Sequence, residues 1–336
     1  MKQSFYIILF LLSGVVFSQE SNYKNPIVDF NFPDPTVIKA ADGYYYAYAT
    51  NTRRNGKAVN IQVLKSENLV EWHQHGDAMP EQPNWASSDF WAPHVTYNKG
   101  NGSSYYMYYS GESNDESIGK CLGVAVSDSP LGPFVDKGEP LLCGDTFINI
   151  DPMVFQDENS GKNYLYWGSG HESIKVRELS SDLLNFRKGS VIKEIIHPVD
   201  NSKIENYERL IEGAWLTKRD NFFYLFYSGD NCCGENAHYA VMVARSESPE
   251  GPFEKYKNRK GTPVILSQNK DWLAPDHNSV ITDEDQTDWI MYHAIDPQDI
   301  EKGRIFLMDK INYQNGWPVI EKGAPSKKLL PAPQTN

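Results

Sequence analysis

Five aromatic runs at nearly even spacing constrain this chain more than any other feature. They are Tyr44-Tyr45-Tyr46-Ala47-Tyr48, Tyr105-Tyr106-Met107-Tyr108-Tyr109, Tyr164-Leu165-Tyr166-Trp167, Phe222-Phe223-Tyr224-Leu225-Phe226-Tyr227 and Trp289-Ile290-Met291-Tyr292, and their starts step by 61, 59, 58 and 67 residues. A period of that size marks one supersecondary unit used repeatedly. An alternating strand follows each run, such as Asn60-Ile61-Gln62-Val63-Leu64 or Ala240-Val241-Met242-Val243-Ala244. Small-polar and Gly-Pro turns come next, as in Ser127-Asp128-Ser129-Pro130 and Ser246-Glu247-Ser248-Pro249. One further short strand precedes each run: Asp34-Pro35-Thr36-Val37, Ala92-Pro93-His94-Val95, Asp151-Pro152-Met153-Val154, Glu212-Gly213-Ala214-Trp215 and His277-Asn278-Ser279-Val280. Five units of four antiparallel strands predict an all-β, five-bladed β-propeller, with blades set around a central channel. Helical periodicity is nearly absent, and the repeats leave no room for a second domain.

Composition limits what such a propeller can do. The 336 residues carry a formal charge of −12, which argues against a basic face for nucleic acid. At 13% aromatic and 40% hydrophobic, the chain has ample material for a large core. Met1-Lys2 followed by the apolar run Phe5 to Val16 has the layout of a secretory signal peptide, expected over residues 1–18. A short membrane anchor is the alternative, but the run falls short of the roughly 20 residues a span needs. The expected mature chain, 19–336, is a single catalytic propeller, secreted or periplasmic, with no membrane span.

Four cysteines fit an oxidising compartment and match no zinc spacing. Cys121 and Cys143 are placed to staple neighbouring strands. Cys232 and Cys233 are adjacent; a bond between them and two free thiols in a partly buried loop are both open.

The innermost strand of each blade lines the axis, so the repeat alignment gathers Asp34, Ala92, Asp151, Glu212 and His277 at one mouth of the channel. A single buried Asp is most often a turn or strand-edge cap. Three carboxylates at one register of different repeats point elsewhere. Converging carboxylates raise one another's pKa and supply an acid and a base near neutral pH. Two working carboxyls amid many aromatics point to glycosidic bond hydrolysis. Phe32, His94 and Asn149 lie beside the mouth with no role assigned, and Tyr106 and Tyr108 read as inter-blade packing.

The motifs Phe32-Pro33-Asp34-Pro35, Asp42-Gly43-Tyr44-Tyr45, Trp91-Ala92-Pro93, Ile150-Asp151-Pro152, Ile211-Glu212-Gly213-Ala214 and His277-Asn278-Ser279-Val280 occur in this order. The ordered set resembles glycoside hydrolase family 43, the five-bladed propeller enzymes of arabinan and xylan. The resemblance runs from near residue 26 to beyond Trp317-Pro318. It implies inverting hydrolysis, with Asp34 as general base, Glu212 as general acid, and Asp151 orienting that acid and raising its pKa by its own charge. It also implies Trp91 as a stacking wall for the sugar, and Arg304 as a contact to the sugar or to a catalytic carboxylate. His277 would hydrogen-bond the acids or sugar, or hold a channel ion such as Ca²⁺ through water; no cofactor is required. The Cys232-Cys233-Gly234 loop, and no extra β-sandwich after the propeller, favour an α-L-arabinofuranosidase or arabinanase over a β-xylosidase or bifunctional enzyme. Two other readings stay open here: a non-catalytic carbohydrate-binding propeller, and a retaining, invertase-like enzyme with an Asp nucleophile.

Overall fold

The computed structural model describes residues 21–98, 104–199, 207–234 and 236–335; the expected signal peptide, residues 1–18, lies outside them. Five antiparallel sheets follow one another along the chain. Blade one is Thr36–Lys39, Tyr45–Ala49, Gln62–Ser66 and His73–Asp77. Blade two runs through Ala86–Asn98, Ser104–Ser113, Lys120–Ser127 and the split outer pair Val135–Asp136 and Leu142–Cys143. Blade three is Met153–Asp157, Lys162–Trp167, Ile174–Leu179 and Lys193–Ile196. Blade four is Ile211–Arg219, Phe222–Asn231, His238–Ser246 and again a split outer pair, Glu254–Lys255 and Val264–Ser267. Blade five is Leu273–Thr282, Asp288–Ile295, Arg304–Gln314 and Trp317–Ile320. This is the five-bladed propeller that the repeat predicts, with the outer strand of blades two and four broken in two.

The aromatic runs form the second strand of each blade because their side chains must fill both faces of a sheet sandwiched between neighbours. Each face meets the next blade in its own apolar cluster. Tyr46, Tyr48 and Val63 of blade one pack with Val95, Met107 and Tyr109 of blade two, and the other four junctions repeat the arrangement. Three equivalent tyrosines add a polar tie across the junction. The hydroxyls of Tyr48, Tyr108 and Tyr166 donate to the carbonyls of Pro130, Leu183 and Pro249 at 2.5, 2.6 and 2.6 Å. A buried hydroxyl left unpaired would cost about 1–3 kcal/mol, so these turns fix where each tyrosine can sit.

The ring is closed by the two ends of the described chain. Asn22–Tyr23 pairs with Leu330–Pro331, and buried Asn25 donates to the Met308 carbonyl (2.8 Å) while accepting from the Met308 amide (2.9 Å). Cys121 and Cys143 face each other across adjacent strands and are bonded, as their placement predicts. Cys232 and Cys233 are bonded to one another, which decides between the two states left open by the sequence.

Candidate active site

The inner strands enter the channel through one repeated device. Asp34, Ala92, Asp151, Gly213 and His277 all have left-handed backbones, with φ of 57, 45, 58, 64 and 39°. Such values are uncommon for residues other than glycine and turn the chain sharply at the mouth. Their amides are held by the preceding blade. Those of Ala92, Asp151 and His277 donate to the hydroxyls of Thr50, Ser110 and Ser228 at 2.9, 3.0 and 3.1 Å. The Asp34 amide donates to His293 Nδ1 at 3.0 Å, closing the circuit from blade five to blade one.

This circuit corrects the register of blade four. The repeat alignment puts Glu212 level with Asp34, but the equivalent residue is Gly213. Blades two, four and five break their strand pairing at the same place, before His94, Trp215 and Ser279, so Glu212 is level with Trp91 and Asp276 rather than with Asp34. A side chain at 213 would be strained by its φ, and its Cβ would lie 3.3 Å from His277 Nδ1. Glycine therefore leaves room for the imidazole. The Gly213 amide donates to Asp151 Oδ2 at 3.0 Å, tying the Glu212 backbone to blade three.

Asp34, Trp91, Asp151, Glu212, His277 and Arg304 all line one pocket of about 420 Å³. The sequence-predicted residues thus converge, although they come from five different blades. Asp34 accepts from Thr50 Oγ1 at 2.5 Å and from Arg304 Nη1 at 2.7 Å. Burial pushes its carboxyl up, but Arg304, His277, His293 and the Thr50 hydroxyl outweigh burial and lower it to about 2. Glu212 behaves oppositely. Burial raises it to about 7, helped by the charges of Asp276 and Asp34 and opposed by hydrogen bonds from Ser169 and Tyr239. Asp151 is pushed well above the carboxylate range by burial and then by the charges of Glu212, Asp34 and Asp276. Burial, rather than any one charge, comes first in raising Glu212. Burial comes first for Asp151 as well; the two carboxyls face one another's charge, and Asp34 and Asp276 add to both.

Half-buried His277 turns Nδ1 toward both acids, 3.7 Å from Asp34 Oδ1 and 3.7 Å from Asp151 Oδ2. Burial lowers its pKa, which favours the neutral ring. Among the described residues no group of three or more His, Cys, Asp or Glu side chains is placed to hold a metal. Trp91 is half-buried at the rim, with Lys120 Nζ 4.0 Å from its ring centre.

Three residues near the acids carry no sequence motif. Asp276 is 2% exposed, and its Oδ2 lies 3.4 Å from Nε2 of His293. Because His293 Nδ1 accepts the Asp34 amide, its ring proton sits on Nε2, toward Asp276. Tyr239 reaches Glu212 from the third strand of blade four. A usable signal did exist for part of this shell. Thr50, Ser110, Ser228 and His293 each lie two residues beyond the equivalent strand positions Tyr48, Tyr108, Phe226 and Met291. Phe32 packs on Phe306, Asn149 accepts from the Trp167 indole at 3.0 Å, and His94 packs edge-on against Trp215.

A buried ionised carboxylate and a half-buried protonated one, lining the same pocket, are the pairing that glycosidic bond cleavage needs. The sequence profile of Glycosyl hydrolases family 43 matches residues 23–318. The chain belongs to that family. It is an O-glycosyl hydrolase, of a family that inverts the anomeric centre. Similar proteins include a probable arabinan endo-1,5-alpha-L-arabinosidase A of Aspergillus flavus, 28% identical over 86% of this chain and 91% of that protein. The extracellular endo-alpha-(1->5)-L-arabinanase 1 of Bacillus subtilis is 27% identical over 85% of this chain and 86% of its own length. The crystal structure of a thermostable family-43 glycoside hydrolase superimposes with a TM-score of 0.77 at 28% identity, covering 94% of this chain and all of that one. Among the described residues no helix is long and apolar enough to cross a membrane.

Proposed function

We propose that this glycoside hydrolase cleaves α-L-arabinofuranosyl linkages in arabinan or arabinose-decorated plant polysaccharides, with Asp34 as general base and Glu212 as general acid. The observation that carries the mechanism is the opposite displacement of two carboxyls in one pocket, to about 2 and about 7. Between those values Asp34 is ionised and takes a proton from water, while Glu212 keeps the proton that the leaving oxygen needs. Asp151 holds the Gly213 amide and so orients the acid next to it. Arg304 keeps Asp34 charged, and Arg304 and neutral His277 contribute donors to the sugar hydroxyls; Trp91 offers its ring to an apolar sugar face. No cofactor enters the reaction, and a hard cation in the channel would meet His277 only through water.

The names of the similar proteins favour arabinan as substrate, and the extracellular label of the Bacillus enzyme fits the signal peptide expected over residues 1–18. Sugar release from linear arabinan, branched arabinan and xylan, together with aryl α-L-arabinofuranosides and β-D-xylosides, tests the assignment. Arabinose or arabino-oligosaccharides should dominate. Release of xylose alone would transfer the same machinery to a β-xylosidase, and no release from any of these substrates would move the assignment to another glycoside.

A further inference from the structure

We propose that the Cys232–Cys233 disulfide forms the wall of the leaving-group subsite, packing against the apolar face of the sugar that departs. The proposal rests on the assignment of Asp34 and Glu212 as base and acid. The two disulfides of this chain do different things. Cys121–Cys143 joins residues 22 apart and restricts the unfolded chain. Cys232–Cys233 joins neighbours, closes no loop and so contributes almost nothing by that route.

Its position supplies the reason for it. The pair sits at the tip of the hairpin that joins Phe222–Asn231 to His238–Ser246 in blade four. Glu212 is in register with Ser228 on the first of these strands, and Tyr239 on the second donates to Glu212. The hairpin therefore rises from the acid's own blade, and both cysteines line the pocket that contains the acids. Cys232 is backed by Tyr239, Ala274 and Ile295, while Cys233 is exposed. Asn231 Nδ2 donates to the carbonyls of Cys233 (3.3 Å) and Asn236 (2.8 Å), pinning the tip. The neighbouring Asp230 is paired with the Arg209 guanidinium and lies 2.6 Å from His238 Nδ1. What the disulfide itself turns to the pocket, beside Asp230 and Asn231, is an uncharged, polarisable surface.

In inversion the water comes from the base side, so the departing sugar lies along the acid's wall. A disulfide presents sulfur to the C–H face of that ring with no rotamers left to immobilise. The class of ligand is the reducing-side sugar of an oligosaccharide.

The test compares arabinotriose with methyl α-L-arabinofuranoside, whose methyl leaving group is too small to reach the wall. In Cys232→Ser/Cys233→Ser, kcat/KM for arabinotriose should fall about tenfold, while that for the methyl glycoside stays within about twofold. If the double variant fails to fold, mild reduction and alkylation of the wild type serves instead, with mass spectrometry confirming that only the exposed pair has opened. Equal losses on both substrates, or no loss on either, would overturn the subsite. Wild-type turnover of arabinotriose checks the activity separately; if only xylotriose is cleaved, the same comparison is made with methyl β-D-xyloside.

Discussion

Nη1 of Arg304 donates to Oδ1 of Asp34 across 2.7 Å, joining blade five to blade one at the mouth of the channel. The contact is among the forces that hold Asp34 ionised against its own burial. Replacing Arg304 with Met should raise the Asp34 pKa, because a favourable charge is lost while burial remains. The base then protonates at higher pH on acidification, so the acidic limb of kcat/KM should move upward. A pH profile measures it; an unmoved acidic limb would separate Arg304 from the base.

Tyr239 acts on the opposite limb. Its hydrogen bond lowers the Glu212 pKa, so Tyr239→Phe should raise it and keep the acid protonated to higher pH. The alkaline limb should shift upward in the same assay, although each limb reports the interacting set of carboxyls rather than one residue.

Glu212→Gln removes the transferable proton and leaves the shape of the pocket. Hydrolysis of arabino-oligosaccharides should fall by about 10²–10⁴-fold. Aryl glycosides with good leaving groups need less protonation and should lose much less. Losses of equal size on both would remove Glu212 as the acid.

The Cys121–Cys143 bond should matter to stability and little to rate. For a closed segment of this length the loss on Cys121→Ala/Cys143→Ala is about 3 kcal/mol. Denaturant unfolding measures the loss, with kcat on a methyl glycoside as the control.

Much of this was legible in the sequence because the repeat fixes register. Asp34, Asp151 and His277 were found as equivalent positions on inner strands, and the pocket brings them together. Glu212 is legible by its motif but stands one residue off the repeat alignment, level with Trp91 and Asp276, because a four-residue inner-strand motif is too short to fix the register of a single blade. Asp276, His293 and Tyr239 escaped for a different reason. Each is an ordinary strand residue whose importance comes from what lies opposite it: Glu212 across blade four for Tyr239, His293 across blade five for Asp276, and Asp34 across the ring closure for His293, and none of these contacts has a sequence period. The pKa split between Asp34 and Glu212 was likewise out of reach, because it depends on burial and on an arginine 270 residues away.

The most direct test of the whole account is the anomeric configuration of the sugar first released by the wild-type enzyme, followed by proton NMR before mutarotation sets in. If Asp34 delivers water while Glu212 protonates the leaving oxygen, the first product has the configuration opposite to that of the substrate. First release with the substrate's own configuration would contradict the account and make Asp34 a nucleophile.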